Sequence, residues 1–338
     1  MLRQFRGTLI FTLLCLGLAA AYGWYDTHSF AATSALVWIV LVLAVLEISL
    51  SFDNAVVNAK ILSEMEPVWR QRFLTWGMVI AVFGMRVLFP LVIVAVAAHL
   101  GPAEALKLSL EQPERYESLM RGAHISIAGF GGTFLLLVGM SFFFNSDKEV
   151  HWLSWAERRM RTIASLKAIE YALVLLVLYS VARLLPQAQA LSLLVAGGAG
   201  LLCFIAVEAV NTVLSLGTGT AARTGLGAFI YLNVLDASFS FDGVIGGFAL
   251  SNNMIVIALG LAIGAMFVRS MTIMLTENKV LADYIYLEHG AFWAIFALGI
   301  IMLLSARYEI PGSLTGLVGA GFIAVSIVWS IRYRRKLA

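Results

Sequence analysis

Ten predominantly apolar stretches limit the fold of this chain more than any other feature, since about 20 such residues suffice for one transmembrane helix. The composition, with 61% hydrophobic and 13% charged residues and a mean hydropathy of +0.90, is too apolar for a soluble globular protein of 338 residues. The sequence therefore predicts an all-α, polytopic membrane bundle of about ten helices. The predicted spans are 7–25, 34–58, 73–98, 124–144, 163–184, 190–214, 226–250, 254–275, 289–306 and 311–331.

The basic residues between these spans fall mainly on one side of the predicted bundle. That side holds 15 Lys and Arg residues in its loops and tails, and the opposite side holds four. Basic loops stay in the cytoplasm, so both termini are predicted to be cytoplasmic, as an even number of spans requires. The first stretch also has the basic start and small-residue end of a secretory signal. We interpret it as a retained helix, although the charge distribution alone leaves cleavage open.

Several functional classes find no support in the composition. No block of Lys and Arg with interleaved aromatics occurs outside the tail IRYRRKLA, which argues against nucleic acid binding. Cys15 and Cys203 both lie in apolar runs and cannot build a disulfide framework or a thiolate metal cluster. The polar segment 145–162 contains Trp and Arg, and it fits either an interfacial helix or an ordinary connection with tryptophan anchors.

A motif that occurs twice is the strongest functional signal. The sequence EISLSFDNAVVNA at 47–59 matches DASFSFDGVIGGF at 236–248. Because the copies lie in the second and seventh predicted spans, they cross the membrane in opposite directions. This predicts two inverted five-helix repeats, 1–184 and 190–338, as in many secondary transporters. Arg86 and Arg269, in the third and eighth spans, form a weaker second correspondence.

The spacing of the first copy places its polar side chains on two faces of a regular helix. Glu47, Ser51, Asn54 and Asn58 fall within about 40° of one line, whereas Asp53 points about 120° away from Glu47. Both carboxylates can therefore reach one site only if the helix is unwound or kinked near SLSFD, or if the site lies between several helices.

In the second copy, glycines replace the two amides of this polar stripe. The stripe there consists of Asp236, Ser240, Gly243 and Gly247. Glycine on a membrane helix face is typical of close packing, so we expect the tightest helix crossing at this copy.

Carboxylate, hydroxyl and amide oxygens are the available ligands, and oxygen donors suit Mn²⁺, Mg²⁺ and Ca²⁺. Charged residues inside membrane spans are costly and are usually functional. The alternative is a purely structural network in which the carboxylates pair with the two arginines. Two arginines cannot neutralise the four acids of the two motifs, Glu47, Asp53, Asp236 and Asp242, however. We therefore favour a cation site, with Arg86 and Arg269 as counter-ions or gates. The candidate additional ligands or pathway residues are Ser49, Ser51, Asn58, Ser238, Ser240 and Glu208.

The pattern E-x-S-L-S-F-D-N-A-V-V, followed later by D-x-S-F-S-F-D, resembles the TerC-like (tellurium resistance) family of integral membrane proteins. Residues 34–306 are similar to its bacterial subgroup with SLSFDNAVVNA, WR, GMR and a second SFDG motif. The resemblance implies a metal-ion transporter, with manganese export the expected activity, and acidic motif residues as the metal site. By position these are Glu47, Asp53, Asn54, Asp236 and Asp242.

The chain departs from that family at the second motif. Many relatives have Asp-Ser-Ile-Pro where this chain has Asp242-Gly243-Val244-Ile245, so a hydroxyl and a helix-breaking proline are missing. The choice of metal, and the position of any break in the seventh helix, can therefore differ from theirs.

The function predicted from the sequence is Mn²⁺ efflux by alternating access, with Ca²⁺ and Mg²⁺ as other candidate ions and protons as a candidate counter-transported ion. The expected location is the bacterial inner membrane, as a monomer or an oligomer within the lipid bilayer, and no enzymatic activity is expected. The alternative is a non-transporting membrane scaffold for metal or tellurite stress resistance, acting through 145–162. An intramembrane hydrolase with paired aspartates is disfavoured because no nucleophile with a partnering histidine is evident in the sequence.

Overall fold

The computed structural model describes residues 2–77, 79–144, 152, 169–218, 225–248, 250–251, 253–277 and 283–337. Within these ranges the chain forms helices and no strands, which confirms the predicted helical class. In chain order the helices are α1 Leu2–Thr27, α2 Phe30–Leu50, α3 Phe52–Glu64, α4 Pro67–Arg72, the π-helical segments π1 Phe73–Gly77 and π2 Ile80–Leu88, α5 Phe89–Ala97, α6 Pro102–Glu111, α7 Pro113–Phe144, α8 Ile169–Ala182, α9 Gln187–Thr218, α10 Leu226–Phe248, α11 Met254–Glu277, α12 Leu287–Ser305 and α13 Gly312–Leu337.

Eight of the described helices are long and apolar enough to cross a membrane. They coincide with eight of the predicted spans. The predicted spans 163–184 and 226–250 coincide with shorter apolar helices, Ile169–Ala182 and Leu226–Ser240. The protein is thus a polytopic helical membrane bundle, and the count of ten crossings stays a prediction.

The segment 99–123, between the third and fourth predicted spans, is mostly helical. Pro102 is the first residue of α6, and Pro113 is the first residue of α7. Proline is tolerated at the first helical position because its missing N–H has no partner there anyway. These prolines therefore begin helices.

The centre of the bundle is the antiparallel pair of α7 and α12. A Cβ on Gly132 would lie 2.8 Å from Leu303 Cγ, and one on Gly299 would lie 2.9 Å from Leu136 Cγ. As residue numbers rise along α7, those of the contacts fall along α12. Small residues at such positions let two helix backbones approach closely.

A second close seam joins α2 to α11 in parallel. A Cβ on Gly260 would lie 2.9 Å from the carbonyl oxygen of Val40, and one on Gly264 would lie 2.8 Å from the carbonyl oxygen of Ala44. The first helix, α1, packs on α11 as well, where the buried Thr8 hydroxyl lies 2.6 Å from Ser270 Oγ. This seam holds the helix that carries the first motif.

Candidate functional site

The first motif lies at a break between α2 and α3. Ser51 separates the two helices with φ −109° and ψ 14°, outside the helical region. Its backbone N–H still donates to Glu47 O at 3.0 Å, and its hydroxyl donates to Glu47 Oε1 at 3.0 Å. A break near SLSFD, one of the two arrangements that the sequence left open, is thus present, and it lies one residue before Phe52.

Glu47 is neutralised by an arginine from the neighbouring π-helical segment. Its side chain is 1% exposed and forms an ion pair with Arg86 Nη2, and Arg86 also donates through Nη1 to Ala81 O. Gly243 and Gly264 leave just enough room for the Glu47 side chain. The first acid of the first motif is therefore enclosed and charge-compensated.

The second motif lies on a continuous helix, α10, which runs through the position where TerC-like proteins carry proline. Its acid, Asp236, accepts hydrogen bonds at Oδ1 from Asn54 Nδ2 at 2.7 Å and Asn58 Nδ2 at 2.9 Å. A Cβ on Gly243 would lie 2.5 Å from Glu47 Oε2. Asp236 therefore faces Asn54, seven residues after Glu47, and Glu47 faces Gly243, seven residues after Asp236. Because the residue numbers rise along one motif as they fall along the other, the two motifs cross in antiparallel directions.

A polar cavity of about 50 Å³ opens where the motifs cross. The π-helical segments supply six of its lining residues, more than either motif, and the inserted turns aim Arg86 into it. Its polar lining consists of Ser51, Asn54, Asn58, Arg86, Asp236, Ser240, Arg269 and Thr272.

Three oxygens in this lining have no hydrogen-bond partner among the described residues. They are Asn54 Oδ1, Asn58 Oδ1 and Ser240 Oγ, all buried. Buried polar atoms are normally paired, so an unpaired set needs an explanation. The two amides turn their donors toward Asp236, which leaves acceptor oxygens for a bound cation.

Arg269 lines the same cavity without meeting a carboxylate. Its Nε and Nη2 donate to the carbonyl oxygen of Leu74, in π1, at 3.0 and 2.6 Å. Across the described part of the chain, no carboxylate oxygen lies within 4.0 Å of its guanidinium. Its positive charge is therefore held by a neutral acceptor.

Several residues predicted for the site do not line this cavity. The Asp53 carboxylate is buried on another face, where Oδ1 accepts the Asn54 N–H at 3.0 Å and a Cβ on Gly319 would lie 3.5 Å from Oδ2. Ser49 is exposed and bonds to Val45 O of its own helix. The backbone of Asp242 lies in α10, but its side chain lies outside the described residues.

Glu208 and Ser238 also lie elsewhere. Glu208 is exposed on α9, where its Oε2 accepts a hydrogen bond from Tyr171 at 3.0 Å. Ser238 donates to Val234 O at 3.0 Å and lines a second, apolar cavity of about 360 Å³. The Glu208 carboxylate and the Ser238 hydroxyl therefore both form their hydrogen bonds away from the polar cavity.

Two polar contributions to the cavity were not predicted from the sequence. Thr272 follows Arg269 by three residues, and this helical spacing could have indicated it. The Leu74 carbonyl belongs to an apolar residue in a π-helical turn, for which the sequence carries no signal. Within the described ranges, no group of three or more His, Cys, Asp or Glu residues could hold a metal ion. Any cation here would be held mainly by amide and hydroxyl oxygens.

Residues 52–337 match the model of a family described as a protein of unknown function, DUF475. The chain belongs to the DUF475 family. The DUF475 match begins inside the first motif and includes the whole second motif, so it covers every lining residue of the polar cavity except Ser51. No curated protein and no solved structure matches the chain.

Proposed function

We propose that this protein transports a divalent metal cation across the membrane, with Mn²⁺ as its main substrate. The observation that carries the proposal is the set of three unpaired oxygens beside the Asp236 carboxylate, around one polar cavity within the bundle. Charged and polar groups at this depth are costly, and in membrane proteins they usually mark an ion pathway.

The chemistry of the lining favours a hard cation. Amide, hydroxyl and carboxylate oxygens are typical ligands of Mn²⁺, Mg²⁺ and Ca²⁺, which do not need thiolate or imidazole. A cavity of about 50 Å³ has room for an ion that keeps some of its water. Asp242 is proposed as a further ligand on the family resemblance alone, because its side chain lies outside the described residues.

The antiparallel crossing of the motifs supports an inverted-repeat transporter with halves 1–184 and 190–338. In such transporters the site lies at the interface of the repeats, and broken helices contribute to it. The break at Ser51 and the contact between both motif copies fit that design. Ten crossings, alternating access and both termini in the cytoplasm of a bacterium are parts of this proposal.

The cavity extends toward the predicted cytoplasmic side. In the predicted topology, Phe73 and Thr272 lie nearer the cytoplasm than Arg86 and Ala265, and all four line the cavity. On the outer side, Gly260 packs tightly against α2. A cation would therefore enter from the cytoplasm, which agrees with the efflux implied by the TerC resemblance; protons are the candidate counter-transported ion.

The test is equilibrium Mn²⁺ binding to the purified protein in detergent, measured from the electron paramagnetic resonance signal of free Mn²⁺. We expect Asp236→Asn to weaken binding by more than about tenfold, because it removes the cavity's carboxylate. Asp283→Asn, the same change at an exposed carboxylate, should leave the affinity unchanged. Competition by Ca²⁺ and Mg²⁺ then ranks the ions.

A matched serine pair adds a second comparison. Ser240→Ala removes a lining hydroxyl, whereas Ser49→Ala removes an exposed hydroxyl that bonds to its own helix. Only the Ser240 variant should bind Mn²⁺ more weakly. Absence of Mn²⁺ binding by the wild type, or equal affinity in the Asp236 and Asp283 variants, would refute the cation site and favour the scaffold alternative.

A further inference from the structure

The two repeats contain equivalent acid and arginine positions, but only one of the two pairs is formed. Glu47 and Arg86 make a buried ion pair. Their counterparts by motif and span are Asp236 and Arg269, which line the same cavity without pairing. The structure therefore contains one formed pair, Glu47–Arg86, called here the closed pair, and one pair that is not formed, Asp236–Arg269, called the open pair.

The open pair is held apart by specific substitute contacts. Asp236 takes its hydrogen bonds from Asn54 and Asn58, which are neutral donors. Arg269 gives two donors to Leu74 O, a neutral acceptor. Charge-assisted bonds between ionised partners are stronger than bonds to neutral groups, so each contact is weaker than a direct Arg269–Asp236 pair would be.

The asymmetry follows from small residues around the closed pair. Gly243 and Gly264 let α10 and α11 close around Glu47. The equivalent places around Asp236 carry larger residues: Asn54 replaces Gly243, and Ala81, five residues before Arg86, replaces Gly264, which lies five before Arg269. Asp236 and Arg269 line one cavity of about 50 Å³, which gives the Arg269 guanidinium space to move.

We propose that Arg269 is a tethered counter-cation that pairs with Asp236 when the metal ion has left, forming the counterpart of the Arg86–Glu47 pair. This inference rests on the proposed transport function. With metal bound, Arg269 stays on Leu74 O and the ion's charge balances Asp236. After release, the guanidinium balances Asp236, so the empty protein returns without an uncompensated carboxylate.

The inference separates two kinds of flux. Exchange of Mn²⁺ for Mn²⁺ uses only the loaded protein, whereas net efflux also requires the empty protein to return. In proteoliposomes without a pH gradient, Arg269→Gln should lower net Mn²⁺ efflux by more than about tenfold, since an unpaired acid at this depth is costly. Exchange should stay within about twofold of wild type, because the metal ligands remain.

Two further variants complete the design. Arg269→Lys keeps the charge and should retain most of the net efflux. Arg121→Gln removes an exposed arginine that pairs with Glu117, and it should affect neither flux. If Arg269→Gln does not yield a monodisperse protein, Arg269→Lys still decides: a loss of exchange together with net efflux would assign Arg269 a structural role and overturn the inference.

The outcomes distinguish this inference from the function it rests on. If the wild type shows neither exchange nor net efflux, the proposed transport function fails. If the wild type shows both fluxes and Arg269→Gln leaves both unchanged, transport stands and the counter-cation role is wrong. Loss of both fluxes in Arg269→Gln would also contradict that role. Loss of net efflux alone supports it.

Discussion

At the scale of single residues, Glu47 shows what a carboxylate requires in order to lie inside this bundle. Its side chain is 1% exposed, and it receives a guanidinium from Arg86 and a hydroxyl from Ser51. An isolated buried charge costs several kcal/mol, and a paired one is tolerated only with such partners. The pair thus links α2 to π2 and fixes one wall of the cavity.

Arg86→Gln should destabilise the protein by about 3–5 kcal/mol, because it leaves Glu47 buried without its partner. The double variant Glu47→Gln/Arg86→Gln should be much more stable than Arg86→Gln alone, because no charge is then left unpaired. Apparent melting temperatures in detergent measure both effects. If the fall in melting temperature of the double variant equals the sum of the falls in Arg86→Gln and Glu47→Gln, the two residues are not coupled.

The residues of the site were only partly predictable. The spacing of four between Asn54 and Asn58 correctly indicates one helix face, and both amides meet Asp236. The family resemblance adds Asp53 to the metal site, although its helical angle points elsewhere, and the described structure places its carboxylate against α13. The rotation of each helix about its axis decides such questions, and sequence equivalence carries no information about it.

At the scale of elements, glycines determine how closely the helices approach. The α7–α12 pair depends on Gly132 and Gly299, each of which would bring a Cβ within 3.0 Å of a leucine on the other helix. Contacts this short force the neighbouring helix to shift, and packed interiors resist such shifts. The centre of the bundle is therefore sensitive to the smallest possible addition.

Gly132→Ala should destabilise the protein by about 1–3 kcal/mol through overpacking. Gly198→Ala is the matched control, because a Cβ on this helical glycine of α9 would meet nothing within 4 Å. Alanine is the better helix former, so the control should be neutral or slightly stabilising. A comparable fall in melting temperature for both variants would mean that helix packing is not the cause.

Element boundaries were predicted unevenly for physical reasons. The break at Ser51 matches one of the two arrangements that the sequence left open, and the missing proline agrees with the uninterrupted α10. The π-helical turns Phe73–Gly77 and Ile80–Leu88 were not anticipated, because hydropathy predicts a membrane span without distinguishing π-helical from α-helical turns. Those turns supply much of the cavity lining, so its shape could not be derived from the sequence.

At the scale of the whole molecule, the directions of the helix contacts agree with the predicted threading. α7 and α12, an even-numbered and an odd-numbered span, pack antiparallel. α2 and α11 pack in parallel, as two even-numbered spans should, and α1 packs antiparallel to α11. Hydropathy and charge were enough to predict a polytopic helical bundle. The contact between the two motif helices could be expected only from the repeated motif, and the two copies do meet.

The central claim is that both motif copies form one cation pathway. Its most direct test is Mn²⁺ flux in proteoliposomes, followed with a manganese-sensitive dye, for wild type, Asp236→Asn, Asn58→Leu and the control Asp283→Asn. We predict flux in the wild type and the control, and a loss of more than about tenfold in the other two, since each removes cavity oxygens that the ion needs. Wild-type flux no higher than in protein-free liposomes, or equal flux in all four proteins, would contradict the account.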